Sequence, residues 1–266
     1  MTMKRFNDDG TPAEQYERVM VPRVFLPLAR EVVEVAALST GERVLDVACG
    51  TGALTRLLAA AVGPTGSVVG LDVNAEMLSV AAMSVPDRHV EWRQASASEL
   101  PFAEATFDLV TCQHGVQYFP DRAKALGEMR RVLGEGGRLV LTCSRASTES
   151  PAYLAVERWL TVRSGTPTSL APFSFADSDE LYRVVDAARF TDVHLRTVPL
   201  SVHYPTVEIF VRSLFTSPGT RAQMADVGNE EMVEPISQVE KDLAPYSSPD
   251  GSVTVPQGVN LLSAKA

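Results

Sequence analysis

Between residues 43 and 144, short apolar runs alternate with amphipathic stretches. The runs at 44–48, 67–72, 90–95, 107–112 and 138–144 have the length and branched, apolar texture of strands. Between them the pattern turns helical. Residues 53–61 end at Gly63-Pro64, and residues 75–83 are opened by Asn74. A helix reaching Leu133 is opened by Asp121 and closed by Gly134, with Leu126, Met129, Val132 and Leu133 on one face. Strands alternating with helices predict a parallel sheet covered on both faces, and the nearly continuous apolar run at 107–112 suits a strand buried on both sides.

The flanks are less regular. Thr11-Pro12-Ala13-Glu14 is a capping box with proline at the first helical position, which predicts a helix to about Met20. Pro22 and Pro27 predict a break or kink before a second helix over 28–38, stopped near Gly41. After Ser144 come a helical stretch at 153–162, a Thr/Pro/Ser-rich loop at 165–175, a helix capped by Ser178 and a strand at 193–197. Helical pieces follow between 205 and 243, and a last strand is expected at 258–264, with 251–256 leading into it. The roughly 50 residues between the last two strands exceed an ordinary connection and are read as a lid. The expected fold class is α/β, a seven-stranded mostly parallel sheet in a Rossmann-like sandwich. It is organised as an N-terminal helical lid (1–40), a core (41–198 plus 252–266) and a helical lid insertion (199–251).

Chemistry enters at Val44 to Gly52, VLDVACGTG. A glycine turn that ends a strand and opens a helix lets backbone approach a ligand, and ligands of open parallel sheets bind beyond the carboxyl ends of the strands. Asp72 ends the next strand about 20 residues on, the distance at which a carboxylate meets ribose hydroxyls. An adenosine-bearing ligand follows. A dinucleotide wants glycine or alanine at the sixth position of the turn, where Thr55 stands. Asp46 just before the turn also disfavours a pyrophosphate and favours a cationic adenosyl ligand. Asp46 either meets that cation or bonds groups of the turn itself.

Composition narrows the partner. The chain has 266 residues, 45% of them hydrophobic, with a formal charge of −9 and a pI of about 5.0. Acidity on this scale argues against nucleic acid and against an anionic membrane surface. No apolar run approaches the ~18 residues of a membrane span, and no signal-peptide pattern opens the chain, so a cytoplasmic setting is expected. Cys49, Cys112 and Cys143 lack metal-ligand spacing and read as packing residues, and no metal is expected.

Four motifs in order, Asp46 to Gly52, Gly70-Leu71-Asp72, Phe107 to Val110, and Glu128 to Leu133 followed by Gly136-Gly137-Arg138-Leu139, resemble a class I S-adenosylmethionine-dependent methyltransferase. Within that class the likeness is to the small-molecule group that includes quinone C-methyltransferases, and it spans about residues 40–143. The resemblance implies that Gly50 and Gly52 turn around the amino-acid portion of S-adenosylmethionine, with Asp46 near its amine, and that Asp72 holds the ribose. It also implies that Val73 and Met77 pack on the adenine, and that Gln113 borders the methionine part. Ser96-Ala97 stands where relatives carry Asp-Ala, which weakens one adenine contact. Cys112-Gln113-His114-Gly115 is unlike the motif of enzymes that methylate base amino groups.

His114 lies at the mouth of the expected pocket, where it serves either as a base toward the acceptor or as a packed histidine. Tyr16 and residues 22–25 either fold over the cofactor or pack. His203 and Tyr204 sit where the insertion begins and either face the acceptor or are solvated or packing residues, with the second reading preferred. The implied activity is methyl transfer to a small acceptor, on oxygen or carbon, by in-line displacement. Two rivals stand beside it: a methyltransferase-like scaffold or cyclisation catalyst that binds the cofactor without transfer, and a nicotinamide-dependent oxidoreductase.

Overall fold

The computed structural model describes residues 10–85, 89–225, 227 and 232–266. Seven strands form one sheet in the order β3-β2-β1-β4-β5-β7-β6. They are β1 Arg43–Val47, β2 Ser67–Asp72, β3 Val90–Gln94, β4 Phe107–Gln113, β5 Leu133–Ser144, β6 Thr191–Tyr204 and β7 Val253–Lys265. The β1–β2, β1–β4, β2–β3 and β4–β5 pairs are parallel, and β7 runs antiparallel to both β5 and β6. Strand order reverses between β1 and β4, so their carboxyl ends flank the crevice where this architecture binds ligands.

Alternation along the strands divides the core. Val44, Val68, Leu109 and Val140 face Leu28, Val32, Leu54 and Leu58 on one side. Their neighbours Leu45, Val69, Val110 and Leu139 face Leu126, Met129, Leu181 and Val185 on the other. These helical residues belong to α2 Leu26–Ala36, α3 Thr55–Val62, α5 Arg122–Val132 and α7 Ser178–Ala187, with Leu54 at the N-cap of α3. Adjacent residues pointing to opposite faces is the two-residue period of a pleated strand, here apolar on both sides.

A third cluster gathers away from the middle of the sheet. Met20 and Val24 meet Tyr153 and Trp159 of α6 (Pro151–Ser164), Phe210 and Val211 of α8 (Val207–Ser213), and Val253 and Val255 of β7. Residues distant in sequence thus share one apolar cap.

The structure departs from the expected flanks in physical detail. The capping box is present, with Glu14 N–H donating to Thr11 and Thr11 N–H to Glu14, and α1 spans Pro12–Met20. Pro22 and Pro27 do not break the chain. A π-helical turn, Val21–Phe25, absorbs Pro22, and the Leu26 N–H reaches back five residues to the Val21 carbonyl. The Arg23 guanidinium donates to the Val19 carbonyl at 2.7 Å and the Arg18 carbonyl at 3.5 Å, supplying donors where the prolyl N–H is missing. Ala37, left-handed at φ 47°, ends α2 ahead of Gly41. Leu133 leaves α5 directly into β5, so Gly134 lies in the strand. Strands β6 and β7 are longer than their apolar patterns suggest, because they pair with each other from Thr191↔Lys265 to Tyr204↔Val253. Residues 199–204, expected in the insertion, are therefore sheet. Residues 1–9 of the expected N-terminal lid, and residues 226 and 228–231 of the insertion, lie outside the described residues.

Candidate cofactor and acceptor site

The glycine turn follows β1. Gly50 and Gly52 have φ of 56° and 82°, a region that side chains rarely adopt. A Cβ on Gly52 would stand 2.8 Å from the Trp92 ring, whereas one on Gly50 would meet nothing within 4 Å. Gly52 is therefore small because of its neighbours, and Gly50 is small beside open space where a ligand fits.

Asp72 ties the turn to the second strand. One of its carboxylate oxygens accepts the Gly50 N–H at 2.9 Å and the other the Asn74 N–H at 2.8 Å. Asn74 also caps α4 (Ala75–Ser84). Burial raises the Asp72 carboxyl pKa, and the backbone donors offset part of that rise. The Val73 backbone also bonds this carboxylate, which lines the cavity.

Asp46 sits deeper, 1% exposed. Its oxygens accept the hydroxyls of Thr55 at 2.6 Å and Thr111 at 2.9 Å, and burial pushes its carboxyl up to about 6 despite them. It borders a small recess beside the turn together with Gly50, Thr51 and Gln113. Besides the two hydroxyls, the Thr55 backbone bonds this carboxylate. Two desolvated carboxylates, Asp46 and Asp72, suit a cationic ligand and repel a pyrophosphate.

The main cavity, about 500 Å³, opens beyond the carboxyl ends of β1, β2 and β4. Val73, Met77, Ser96 and Ala97 line one end; Met77 is buried and Val73 is 71% exposed at the mouth. The Ser96 hydroxyl accepts the Ser98 N–H at 3.2 Å, so in place of a carboxylate this position holds its own turn. Gln113 lines the cavity and the recess. Its Nε2 donates to the Phe25 carbonyl at 2.7 Å, while its buried Oε1 has no partner. Tyr118 and Phe119 line the other end, where Ser217, Pro218 and Gly219 close over it at the short helix α9 (Pro218–Arg221), while Tyr16 and Phe25 line both the cavity and the recess beside the glycine turn, with Tyr16 packed on the Met77 cluster. Gly219 has no room for a side chain, because a Cβ there would stand 2.3 Å from the Tyr118 hydroxyl. Among the described residues Asp72 is the only charged side chain in the lining.

His114 lines the same cavity at 8% exposure. Its backbone is left-handed at φ 53°, and its Nδ1 lies 2.9 Å from the Thr142 hydroxyl. Burial pushes the imidazole pKa down to about 4, so the ring is neutral near neutral pH. Phe25 packs edge-on against it at 5.9 Å between ring centroids.

The N-terminal segment is clasped onto the turn. Glu17 accepts the Thr51 hydroxyl at 2.5 Å and pairs with Arg56 at 2.7 Å. Sequence reasoning singled out Tyr16 and Phe25 but missed Glu17, Thr142, Tyr118 and Gly219. Tyr118-Phe119 carried a signal, an aromatic pair just after a strand end; the others depend on contacts between distant segments. His203 is exposed, with Nδ1 at 3.1 Å from the Thr254 hydroxyl, and Tyr204 is buried against Phe210; both lie in β6, outside the cavity lining. The three cysteines are free and buried, and burial raises each thiol pKa. Among the described residues no cluster suits a metal ion and no helix is long and apolar enough to cross a membrane.

Comparison with known proteins decides the lineage. The ubiE/COQ5 methyltransferase family matches residues 21–163, more than half of the chain. The chain belongs to this family. The matched segment contains the glycine turn, Asp72, Gln113 and His114, and the match bears out the resemblance read from the four motifs. Among curated relatives, the ubiquinone/menaquinone biosynthesis C-methyltransferase UbiE of Pseudomonas savastanoi pv. phaseolicola is 45% identical over 116 residues, which is 42% of this chain and 45% of that protein. UbiE of Pseudomonas aeruginosa (strain LESB58) is 43% identical over 131 residues, 47% of this chain and 51% of that protein. The chain thus spans about half the length of these relatives.

Solved structures support the fold. A putative methyltransferase from Bacillus halodurans C-125 superposes with a TM-score of 0.59 at 21% identity, covering 89% of this chain and 97% of its own. A Haemonchus contortus phosphoethanolamine N-methyltransferase, solved with phosphomonomethylethanolamine and S-adenosylhomocysteine, gives 0.61 at 18% identity over 95% of this chain and 56% of its own. The [4+2]-cyclase SpnF gives 0.55 at 22% identity over 90% and 80%. The cofactor of the family fold is S-adenosylmethionine, and the residues present fit it. They offer an open cradle at Gly50, a desolvated carboxylate at Asp72 and an unpartnered buried acceptor at Gln113 Oε1.

Proposed function

We infer that this protein transfers the methyl group of S-adenosylmethionine to a small, flat, largely apolar acceptor of phenol or quinol type, on carbon or oxygen. The observation that carries this is the cavity itself. A glycine cradle and Asp72 lie at one end and Tyr118 and Phe119 at the other, Tyr16 and Phe25 reach from the recess beside the turn into the cavity, and among the described residues no basic side chain lines it. Such walls suit an uncharged ring, and the lack of lysine or arginine disfavours a phosphorylated acceptor. The names of the UbiE relatives point the same way, toward quinone-type acceptors and methylation of carbon.

The cofactor supplies an activated methyl on a sulfonium. The net change converts acceptor–H and the sulfonium into methylated acceptor, a neutral thioether and a proton. Because charge is neutralised rather than created, holding the two partners in line does much of the work, worth up to about 7–11 kcal/mol in favourable cases. Asp72 takes the ribose hydroxyls, Met77 and Val73 flank the adenine beside Ser96 and Ala97, and Gly50, Gly52, Gln113 and Asp46 surround the amino-acid end. His114 is the ring nitrogen nearest the acceptor end. The N-terminal helices and the β6–β7 connection act as covers, the first through Glu17 and the second through Gly219.

The test is turnover of methyl-labelled S-adenosylmethionine with a panel of phenols and reduced quinones. Label appearing in a ring acceptor supports the reading; cofactor binding with no transfer to any of the panel would return the protein to a scaffold or cyclisation role.

A further inference from the structure

We propose that Thr142 fixes His114 as a neutral Nε2–H donor that holds an oxygen of the acceptor, so that His114 orients and polarises the acceptor without being its base. The proposal rests on the methyl-transfer reading of the cavity. It departs from the base role expected of this residue and follows from an accounting of hydrogens around one hydroxyl.

Thr142 is fully buried, and β4 and β5 pair Gln113 with Thr142. At the next position the chain turns left-handed, and the His114 N–H points back to the Thr142 carbonyl at 2.9 Å and its hydroxyl at 3.1 Å. Gly115 permits the turn, since a Cβ there would stand 2.5 Å from the Ala48 Cβ and 2.8 Å from the Cys112 sulfur. The Thr142 oxygen therefore accepts from the His114 backbone and still carries a hydrogen of its own. Among the described residues its only other partner is His114 Nδ1, at 2.9 Å. A buried hydroxyl hydrogen needs an acceptor, so it goes to Nδ1. Nδ1 then has no proton, and in a neutral ring the proton sits on Nε2.

Nε2 is buried and has no partner among the described residues. A buried donor left without an acceptor costs about 1–3 kcal/mol, and native structures seldom carry one without a reason. The ring lines the cavity, so a ligand that enters is placed to satisfy it. The titratable groups sharing that cavity are Tyr16, Asp72 and Tyr118, and burial alone accounts for the ring's resistance to protonation. No carboxylate stands behind Nδ1 to favour an imidazolium, unlike the orienting acid of a base histidine. A neutral donor also avoids placing a second positive charge near a sulfonium. The acceptor implied is one with a phenolic, enolic or carbonyl oxygen. The hydrogen bond eases loss of its proton, which leaves to water through the cavity mouth, and steadies the charge that the oxygen then holds.

The experiment is two-bond proton–nitrogen correlation on protein carrying ring-labelled histidine. His114 is assigned by the signal lost in His114→Gln, and Thr142→Val and Thr142→Ser are measured alongside. The wild type should show the Nε2–H tautomer at pH 7 and keep it to about pH 5. Thr142→Val should mix the tautomers and lower kcat by about tenfold or more, with S-adenosylhomocysteine affinity within about twofold, and Thr142→Ser should restore both. An Nδ1–H tautomer in the wild type would overturn the proposal. So would a Thr142→Val variant with unchanged tautomer and turnover. A wild type with the Nε2–H tautomer that transfers no methyl group would instead sink the methyl-transfer reading and leave the Thr142 assignment standing.

Discussion

The two ends of the cavity are built on different principles. The cofactor end is made of backbone and of residues close in sequence to the strand ends. Gly50, Asp72 and Asn74 are joined by hydrogen bonds of 2.8–2.9 Å at the carboxyl ends of β1 and β2. The acceptor end is assembled from remote segments, Tyr118 after β4 and Gly219 from the β6–β7 connection, with Tyr16 and Phe25 of the N-terminal helices bordering both ends. One end is a cradle of local backbone, and the other borrows Tyr16 and Phe25 from the apolar cap around Phe210, Trp159 and Met20. A site arranged this way holds one ligand constant while the other half varies.

That difference has consequences that separate in measurement. The largest effect is expected from Asp72→Ala, which removes the carboxylate bonds to Gly50 and Asn74 and the proposed ribose contact. S-adenosylhomocysteine binding should weaken by about 1–3 kcal/mol in calorimetric titration, roughly five- to 150-fold in Kd. Gly50→Ala is next. Its left-handed backbone and the new methyl in the cradle should raise the cofactor Kd by about tenfold, with a modest loss in thermal midpoint because nothing in the protein meets the methyl. Tyr118→Ala reverses the pattern. Acceptor KM should rise several-fold in steady-state assays, while cofactor Kd stays within about twofold. If Tyr118→Ala moved the cofactor Kd as far as Gly50→Ala does, the two-ended picture would fail.

Smaller effects sharpen the boundary. Glu17→Gln weakens the clasp on Thr51 and Arg56, a partly exposed pair, and should cost about 0.5–1 kcal/mol in chemical unfolding while speeding cofactor release. The pH effect is the subtlest. Folded His114, with its pKa down near 4, excludes a proton that the unfolded chain takes up near 6.5, so its contribution to stability falls as pH drops through that window. Folded Asp46, with its pKa up near 6, keeps a proton that the unfolded chain releases near 3.8, so its contribution falls as pH rises. The two oppose each other between about pH 4 and 6. Asp46→Asn removes one of them, and urea unfolding should then show stability rising more steeply with pH across that range than in the wild type.

The same division governed what the sequence disclosed. Five strands from Val44 to Ser144, the glycine turn and Asp72 were legible, because each is a local pattern enforced by sheet geometry. The length of β6 and β7 was not, since Ser201 and His203 join the sheet by pairing with a distant partner rather than through any apolar run. Pro22 and Pro27 read as breaks because the pattern does not disclose that Arg23 will supply the donors a proline removes. Thr142 looked like an ordinary strand residue, and only the left-handed turn at His114 brings the imidazole onto it. Glu17 lies 39 positions from Arg56, a separation at which no periodicity speaks.

The central claim is that the cradle at Gly50 and Asp72 is made for a cationic adenosyl ligand. The measurement that tests it most directly is calorimetric titration of the purified protein with S-adenosylmethionine, S-adenosylhomocysteine and NADH in parallel. Micromolar binding of both adenosyl compounds, with no heat from NADH, is the expected result. Binding of NADH alone, or silence from all three, would contradict it.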